Sequence, residues 1–335
     1  MSKLQPDETI RPGTNFGAPA ELGFIGDVGA TNARFALVQP NGTNTTARVY
    51  ALNDYPSLTE AITTYLAEES PSARPRQAVL AVASPITGDQ VTLTNHPWAF
   101  SIEAVRKHFG FRRFRVINDF AANAAAIPHL ADSDRLQIGR GSPVAVAPIG
   151  LIGPGTGLGV SALVAMPGGW TPIEGEGGHV TMAPADSKES AVLELMRRRY
   201  DHISAERVLS GPGLVNLYNV LCELAAAPAA PFTPPQIADR RIWSEDSRAR
   251  DATEMFCAML GTVAGNLALT LGARGGIYIA GGIVPKLGTV FAESGFRTRF
   301  EAKGRFRPYL AAIPTYVITH PLPALLGAAA LLERR

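Results

Sequence analysis

The chain has 335 residues, 46% of them apolar and 18% charged, with a formal net charge of +2. That composition excludes a disordered chain, and with no block of like charges it predicts neither a nucleic-acid nor a membrane partner; the densest basic run, Arg197, Arg198 and Arg199, reads as a solvated helix face. Two cysteines, Cys222 and Cys257, stand without CxxC or Cys/His ligand spacing, so neither a disulfide framework nor a zinc site is indicated, and a reducing, cytoplasmic compartment fits.

Residues 1–20 carry Pro, Gly and acidic residues without an apolar signal segment and read as a loose tail, and no later apolar run is long enough to span a bilayer uninterrupted. "ELGFIGD", "ARFALVQ" and "TARVYAL" then read as strands joined by hairpin turns. The period changes in "SLTEAITTYLAEE", a helix with Ser57 as cap and Glu60 in capping-box position. The strand "QAVLAVAS" follows, then a strand "QVTLTN", a helix "SIEAVRKHFG" closed by Gly110, a strand "FRVIND", and a helix from "FAANAAAI" that stops before Pro128.

The pattern restarts in "VAVAPIGLIGPGTGLGVSALVAMPGGW", an apolar strand, a Gly/Thr turn and a second apolar strand. "GDVGATNARFALV" and "GPGTGLGVSALV" align as a weak internal repeat about 125 residues apart, which points to a duplicated domain. A third strand-to-glycine junction lies in "GGIYIAGGIVPKL", where Gly281 and Gly282 precede a helix with Pro285 in its first turn.

These turns suit a polyphosphate, because glycine lets backbone N–H groups approach closely and threonine adds a hydroxyl donor. Asp27, the carboxylate of the first turn, then faces Mg²⁺, since bare carboxylate and phosphate repel. Neither turn matches the Walker pattern or a Rossmann glycine signature. Asn118 and Asp119 end an apolar strand, the place where α/β folds present ligand groups; Asp119 reads equally as a helix N-cap. Glu174, Glu176 and His179 lie in the loop "EGEGGHV", and carboxylates with an imidazole suit sugar hydroxyls. Glu206 reads alternatively as first-turn charge behind a Ser204 cap, and Trp98 as the packing residue of a hairpin with Asn95 and His96.

"GDVGATNARFAL", "TNHPWAFS", "INDFAANAAAIP", "GPGTGLGVSAL", "EGEGGHVTMAP", "SAERVLSGPGLVNLY" and "IAGGIVPKL" resemble, in this order, the bacterial glucokinases of the superfamily that contains hexokinases, actin and the heat-shock chaperone ATPases. The resemblance implies an α/β fold of two ribonuclease-H-like (actin-like ATPase) domains with a cleft between them. It divides the chain into the tail 1–20, a small domain of 21–129 plus 320–335 closed by the returning helix "PALLGAAALLERR", and a large domain of 130–319. It implies ATP-dependent phosphorylation of D-glucose to glucose 6-phosphate, feeding glycolysis, in a homodimer, with Mg²⁺ and ATP as cofactors. Asp119 becomes the catalytic base; Asn118, Glu176, His179 and Glu206 join it around the sugar. Gly26, Asp27, Val28, Gly29, Ala30 and Thr31, with Gly155, Thr156, Gly157, Gly281 and Gly282, serve the nucleotide, and Asp27 the metal. The alternatives are a kinase for another hexose or N-acetylhexosamine, or a sugar-sensing protein of the same fold. One departure stands out: the family's first turn commonly reads Gly-Gly-Thr, and Ala30 occupies the middle position, a strain if that residue needs positive φ.

Overall fold

The computed structural model describes residues 21–42, 44–70 and 72–332, so the expected tail 1–20 lies outside the described residues. The chain forms two compact units, one drawing on Met1–Asp132 and His320–Arg335, the other on Ser133–Thr319.

In the first unit, strands β1 (Gly23–Val28), β2 (Asn32–Val38), β3 (Arg48–Ala51), β4 (Gln77–Val82) and β7 (Arg113–Asn118) form a sheet of order β3-β2-β1-β4-β7. The first three are antiparallel neighbours; β4 and β7 run parallel to β1. Short strands β5 (Gln90–Thr92) and β6 (Ala99–Ser101) make a separate hairpin. The hairpin reading around Trp98 implies a strand here, although the three residues of β6 show no period by themselves. Helix α1 (Leu58–Glu69) starts as expected at Ser57, whose Oγ accepts from Glu60 N–H, and α2 (Ile102–Phe109) ends on Gly110 at φ 69°. Phe24, Phe35, Tyr65 and Phe111 fill the core on one face of the sheet. On the other face α3 (Asp119–Ala126) packs against the helix Pro323–Leu332 so closely that a Cβ on Gly327 would lie 1.7 Å from the Ala122 carbonyl oxygen.

The second unit repeats the plan. Its strands β8 (Arg135–Ile138), β9 (Ile149–Pro154), β10 (Leu158–Met166), β11 (Gly169–Ile173), β12 (Gly276–Ile279) and β13 (Thr315–Ile318) are ordered β11-β10-β9-β12-β13-β8. Again an antiparallel hairpin and a third antiparallel strand meet two parallel ones, with β8 added at the edge. The internal repeat read from "GDVGAT" and "GPGTGLG" is therefore a duplicated ribonuclease-H-like sheet. β9 begins only at Ile149, later than the apolar run suggested, because Val146 sits exposed in a turn at φ 53°. Helices α4 (Ser187–Arg197) and α5 (Gly211–Leu224) and the long helix Ser247–Leu271 cover the sheet. Among the described residues that long helix is the one apolar enough to cross a membrane by length and composition, yet 61% of its apolar window is buried and its Phe256 and Leu260 belong to the core. Arg197, Arg198 and Arg199 are exposed, as a solvated face requires.

Candidate active site

Strand β7 delivers Asn118 and Asp119 to the start of α3. Asn118 is the N-cap: its Oδ1 accepts from Phe120 N–H at 2.9 Å and Ala121 N–H at 3.4 Å. The alternative reading of Asp119 as the cap is therefore corrected by one residue. Asn118 keeps extended backbone (φ −63°, ψ 145°), whereas Asp119 is already the first helical residue, its Oδ1 accepting from Phe120 N–H at 2.9 Å. Asn118 Nδ2 donates to the Ser84 carbonyl at 3.4 Å, which orients the amide. Both side chains remain partly accessible.

The first glycine turn is Gly29, Ala30 and Thr31 between β1 and β2, closed by Gly29 N–H on the Asn32 carbonyl at 3.0 Å. Three of its expected nucleotide residues, Gly26, Asp27 and Val28, lie outside it, in β1. Gly26 sits inside β1, paired on both sides, and a Cβ there would stand 2.5 Å from Leu80 Cδ1, so core packing demands this glycine. Val28 is likewise a buried strand residue packed in the core. Ala30 carries no penalty: the positive-φ non-glycine residues among the described ones are Val146 and Ala226, so its methyl group stands in ordinary backbone. Thr31 is exposed, with its Oγ1 accepting from Asn32 Nδ2 at 3.0 Å.

Asp27 lies on the opposite face of β1 from Gly26. Burial pushes its carboxyl above the usual carboxylate range, partly offset by Arg34, directly across the hairpin with 3.7 Å between guanidinium and carboxylate. A desolvated carboxylate next to a glycine turn suited to phosphate fits Mg²⁺, which takes one or two carboxylates and completes its shell with water and phosphate oxygens. No cluster of three or more His, Cys, Asp or Glu that could hold a metal occurs among the described residues.

The second turn, Gly155, Thr156 and Gly157, joins β9 to β10 and is closed by Gly155 N–H on the Gly157 carbonyl at 2.8 Å. Gly155 is open: a Cβ there would meet nothing within 4 Å. Gly281 follows β12 at φ 81° with the Pro154 carbonyl oxygen 2.3 Å from the place of a Cβ, so the third glycine junction lies against the base of the second turn. Gly282 starts the helix Ile283–Leu287, with Pro285 in its first turn as expected.

The sugar-binding candidates Glu176, His179 and Glu206 assemble beside this turn. Gly177–His179 is a single 3-10 turn, and Glu176 and His179 are exposed at its two ends. Gly178 and Gly177 would place Cβ atoms 2.0 Å from the Leu158 carbonyl oxygen and 2.8 Å from Val160 Cγ1, so this loop rests on the start of β10. Backbone bonds from Ala205 N–H to the Val180 carbonyl and from Met182 N–H to the Ile203 carbonyl, both 2.9 Å, join it to the segment that carries Glu206. Ser204 does cap a 3-10 turn, Ala205–Arg207, accepting from Arg207 N–H, and Glu206 bonds to the backbone of Leu158 at 2.8 Å. That contact joins residues 48 apart, and nothing in the sequence announces it. The Arg34 partner of Asp27 was accessible in principle from the hairpin register. Trp98 is buried, donating to the Tyr55 carbonyl at 3.0 Å, and His96 bonds Asn53 at 3.2 Å, as the packing reading of that hairpin requires.

A sequence model of the glucokinase family matches residues 24–335. The glucokinase of Paramagnetospirillum magneticum is 50% identical over 313 residues, which make up 93% of this chain and 98% of that one. Among solved structures, the glucokinase of an Antarctic psychrotroph is similar with a TM-score of 0.84 at 35% identity, covering 93% of this chain and 98% of that chain. A glucokinase of Streptomyces griseus of the ROK family, solved with glucose and AMPPNP, shares the fold with a TM-score of 0.61 at 18% identity, covering 93% and 99%.

Proposed function

The chain belongs to the glucokinase family and transfers the γ-phosphoryl group of ATP to D-glucose, and we propose that Asp119 is the base that accepts the proton of the 6-hydroxyl. Phosphoryl transfer runs through a loose transition state, so the chain's task is to position donor and acceptor, neutralise charge and take the proton late. A carboxylate suffices for the last step. Asn118, Glu176, His179 and Glu206 hold the sugar through bonds that ring hydroxyls both donate and accept. Gly29, Ala30 and Thr31 cradle the phosphates from one turn, Gly155, Thr156 and Gly157 from the other; Gly281 and Gly282 adjoin the adenosine. Gly26 and Val28 support their turn from the core. Asp27 holds Mg²⁺, which supplies charge neutralisation for the phosphoryl oxygens. A homodimer in the cytoplasm belongs to the same proposal; both cysteines are free thiols, in accord with a reducing compartment.

The observation that supports the assignment of Asp119 is that the cap falls on Asn118, which leaves Asp119 as the first helical residue, partly accessible at the end of the strand. Asp119→Asn is expected to keep its melting temperature and lose on the order of a hundredfold or more in kcat, with a much smaller change in glucose KM. A coupled assay for glucose 6-phosphate measures both. Turnover within a few-fold of the parent would move the base to another carboxylate, Glu176 first.

A further inference from the structure

Glu206 is built into the second phosphate turn. Its Oε2 accepts from Leu158 N–H at 2.8 Å, and the same oxygen lies 2.5 Å from the place a Cβ on Gly157 would take. Leu158 is buried and faces Pro154 across the hairpin, so loss of the carboxylate leaves its N–H without this acceptor in a place water reaches poorly. The other oxygen, Oε1, accepts no hydrogen bond from the described residues.

The backbone around Glu206 is fixed as firmly as its side chain. Ser210 Oγ donates to the Glu206 carbonyl at 2.9 Å and accepts from Gly213 N–H at 3.0 Å, which locks the segment to the start of α5. Gly211 N–H donates to the Gly155 carbonyl at 2.8 Å. One segment therefore grips the turn at both ends, by Glu206 on the Leu158 side and by Gly211 on the Gly155 side. A Cβ at 157 would have to displace the Glu206 carboxylate from its bond to Leu158, whereas the φ of Gly157, outside the left-handed region, sets no demand of its own.

Building on the reading of Glu206 as a sugar ligand, we propose that Glu206 is also the positioning residue of the second phosphate turn. Oε2 holds the Gly155, Thr156 and Gly157 backbone in the form that receives the nucleotide, and Oε1 remains for a sugar hydroxyl. A sugar bonded to Oε1 steadies the carboxylate that steadies the turn, so each substrate tightens the binding of the other by the same factor.

The test is direct titration of AMPPNP with Mg²⁺ into the full chain, with and without glucose, beside the glucose KM and melting temperature of each variant. Without sugar, Glu206→Ala is expected to weaken AMPPNP binding about tenfold or more, the worth of a charge-assisted bond to a buried N–H. Glu206→Gln is expected to restore most of that loss, because its amide oxygen still accepts from Leu158, while its glucose KM stays raised. Glucose should tighten AMPPNP binding in the parent and not in Glu206→Ala. Gly157→Ala, which leaves Glu206 in place but crowds its carboxylate, should weaken AMPPNP binding as well, and it carries the test if Glu206→Ala does not fold. Unchanged AMPPNP binding in Glu206→Ala or in Gly157→Ala overturns the proposal, as does equal loss in the Ala and Gln variants with lowered melting temperatures. Lost AMPPNP affinity with an unchanged glucose KM would support the positioning role and strike Glu206 from the sugar site.

Discussion

Asp27 carries its charge at a cost to the fold. Burial outweighs the nearby Arg34 and raises its carboxyl in the folded chain above the 3.8 it returns to on unfolding. The folded state then binds the proton more tightly than the unfolded one, so this residue favours folding most below 3.8 and progressively less as pH rises through the raised value. Asp27→Asn should melt above the parent at neutral pH, the gap closing as pH falls toward 3.8, and should lose most of its kcat/KM for MgATP. Melting curves across pH with a coupled assay measure both; a lower melting temperature at pH 7 would mean that the Arg34 pair, not burial, governs the residue. Gly281 makes a simpler case, since φ 81° and the Pro154 carbonyl 2.3 Å from a Cβ both oppose a side chain. Gly281→Ala should cost about 1–3 kcal/mol in denaturant unfolding.

The helix that presents Asp119 depends on its cap and on a close helix crossing. Asn118→Ala should cost about 1 kcal/mol of stability, and Asn118→Asp far less, because aspartate caps as well as asparagine does. Equal losses in the two would show that the amide's bond to the Ser84 carbonyl, rather than the cap, is what matters. At the crossing, Gly327→Ala drives a methyl group into the Ala122 carbonyl and forces α3 to shift, so melting temperature and kcat should fall together. A stable Gly327→Ala chain with parental kcat would show that α3 tolerates the shift. The strand-to-helix junction at "VINDF" was legible from an apolar run entering an alanine-rich one. Which of its two polar residues caps the helix was not, since both side chains are favoured caps and only the backbone angles separate them.

Each of the two units has a core of its own, one centred on Phe24, Phe35 and Tyr65, the other on the long helix Ser247–Leu271. The first is completed by the last described helix, Pro323–Leu332, in which Ala324, Leu325, Leu326 and Leu331 are buried. A chain cut before His320 should therefore lose the protection of β1 and β4 in amide exchange while the strands of the second unit keep theirs; uniform protection in both units would refute this dependence on the returning helix. Taken by itself, the sequence determined the mixed α/β class, the duplicated strand–turn–strand units and the positions of the glycine turns, because strand alternation, helix caps and turn glycines are written over a few neighbouring residues. It also carried the family, through motifs whose order survives along the chain. Only the tertiary structure decided that Gly26 and Val28 belong to the core, that Ala30 rests in unstrained backbone, that Asn118 is the cap, and that Glu206 reaches the backbone of Leu158. The physical reason is range: a backbone angle or a contact between residues 48 apart is set by the packing of whole elements, and no local pattern encodes that packing.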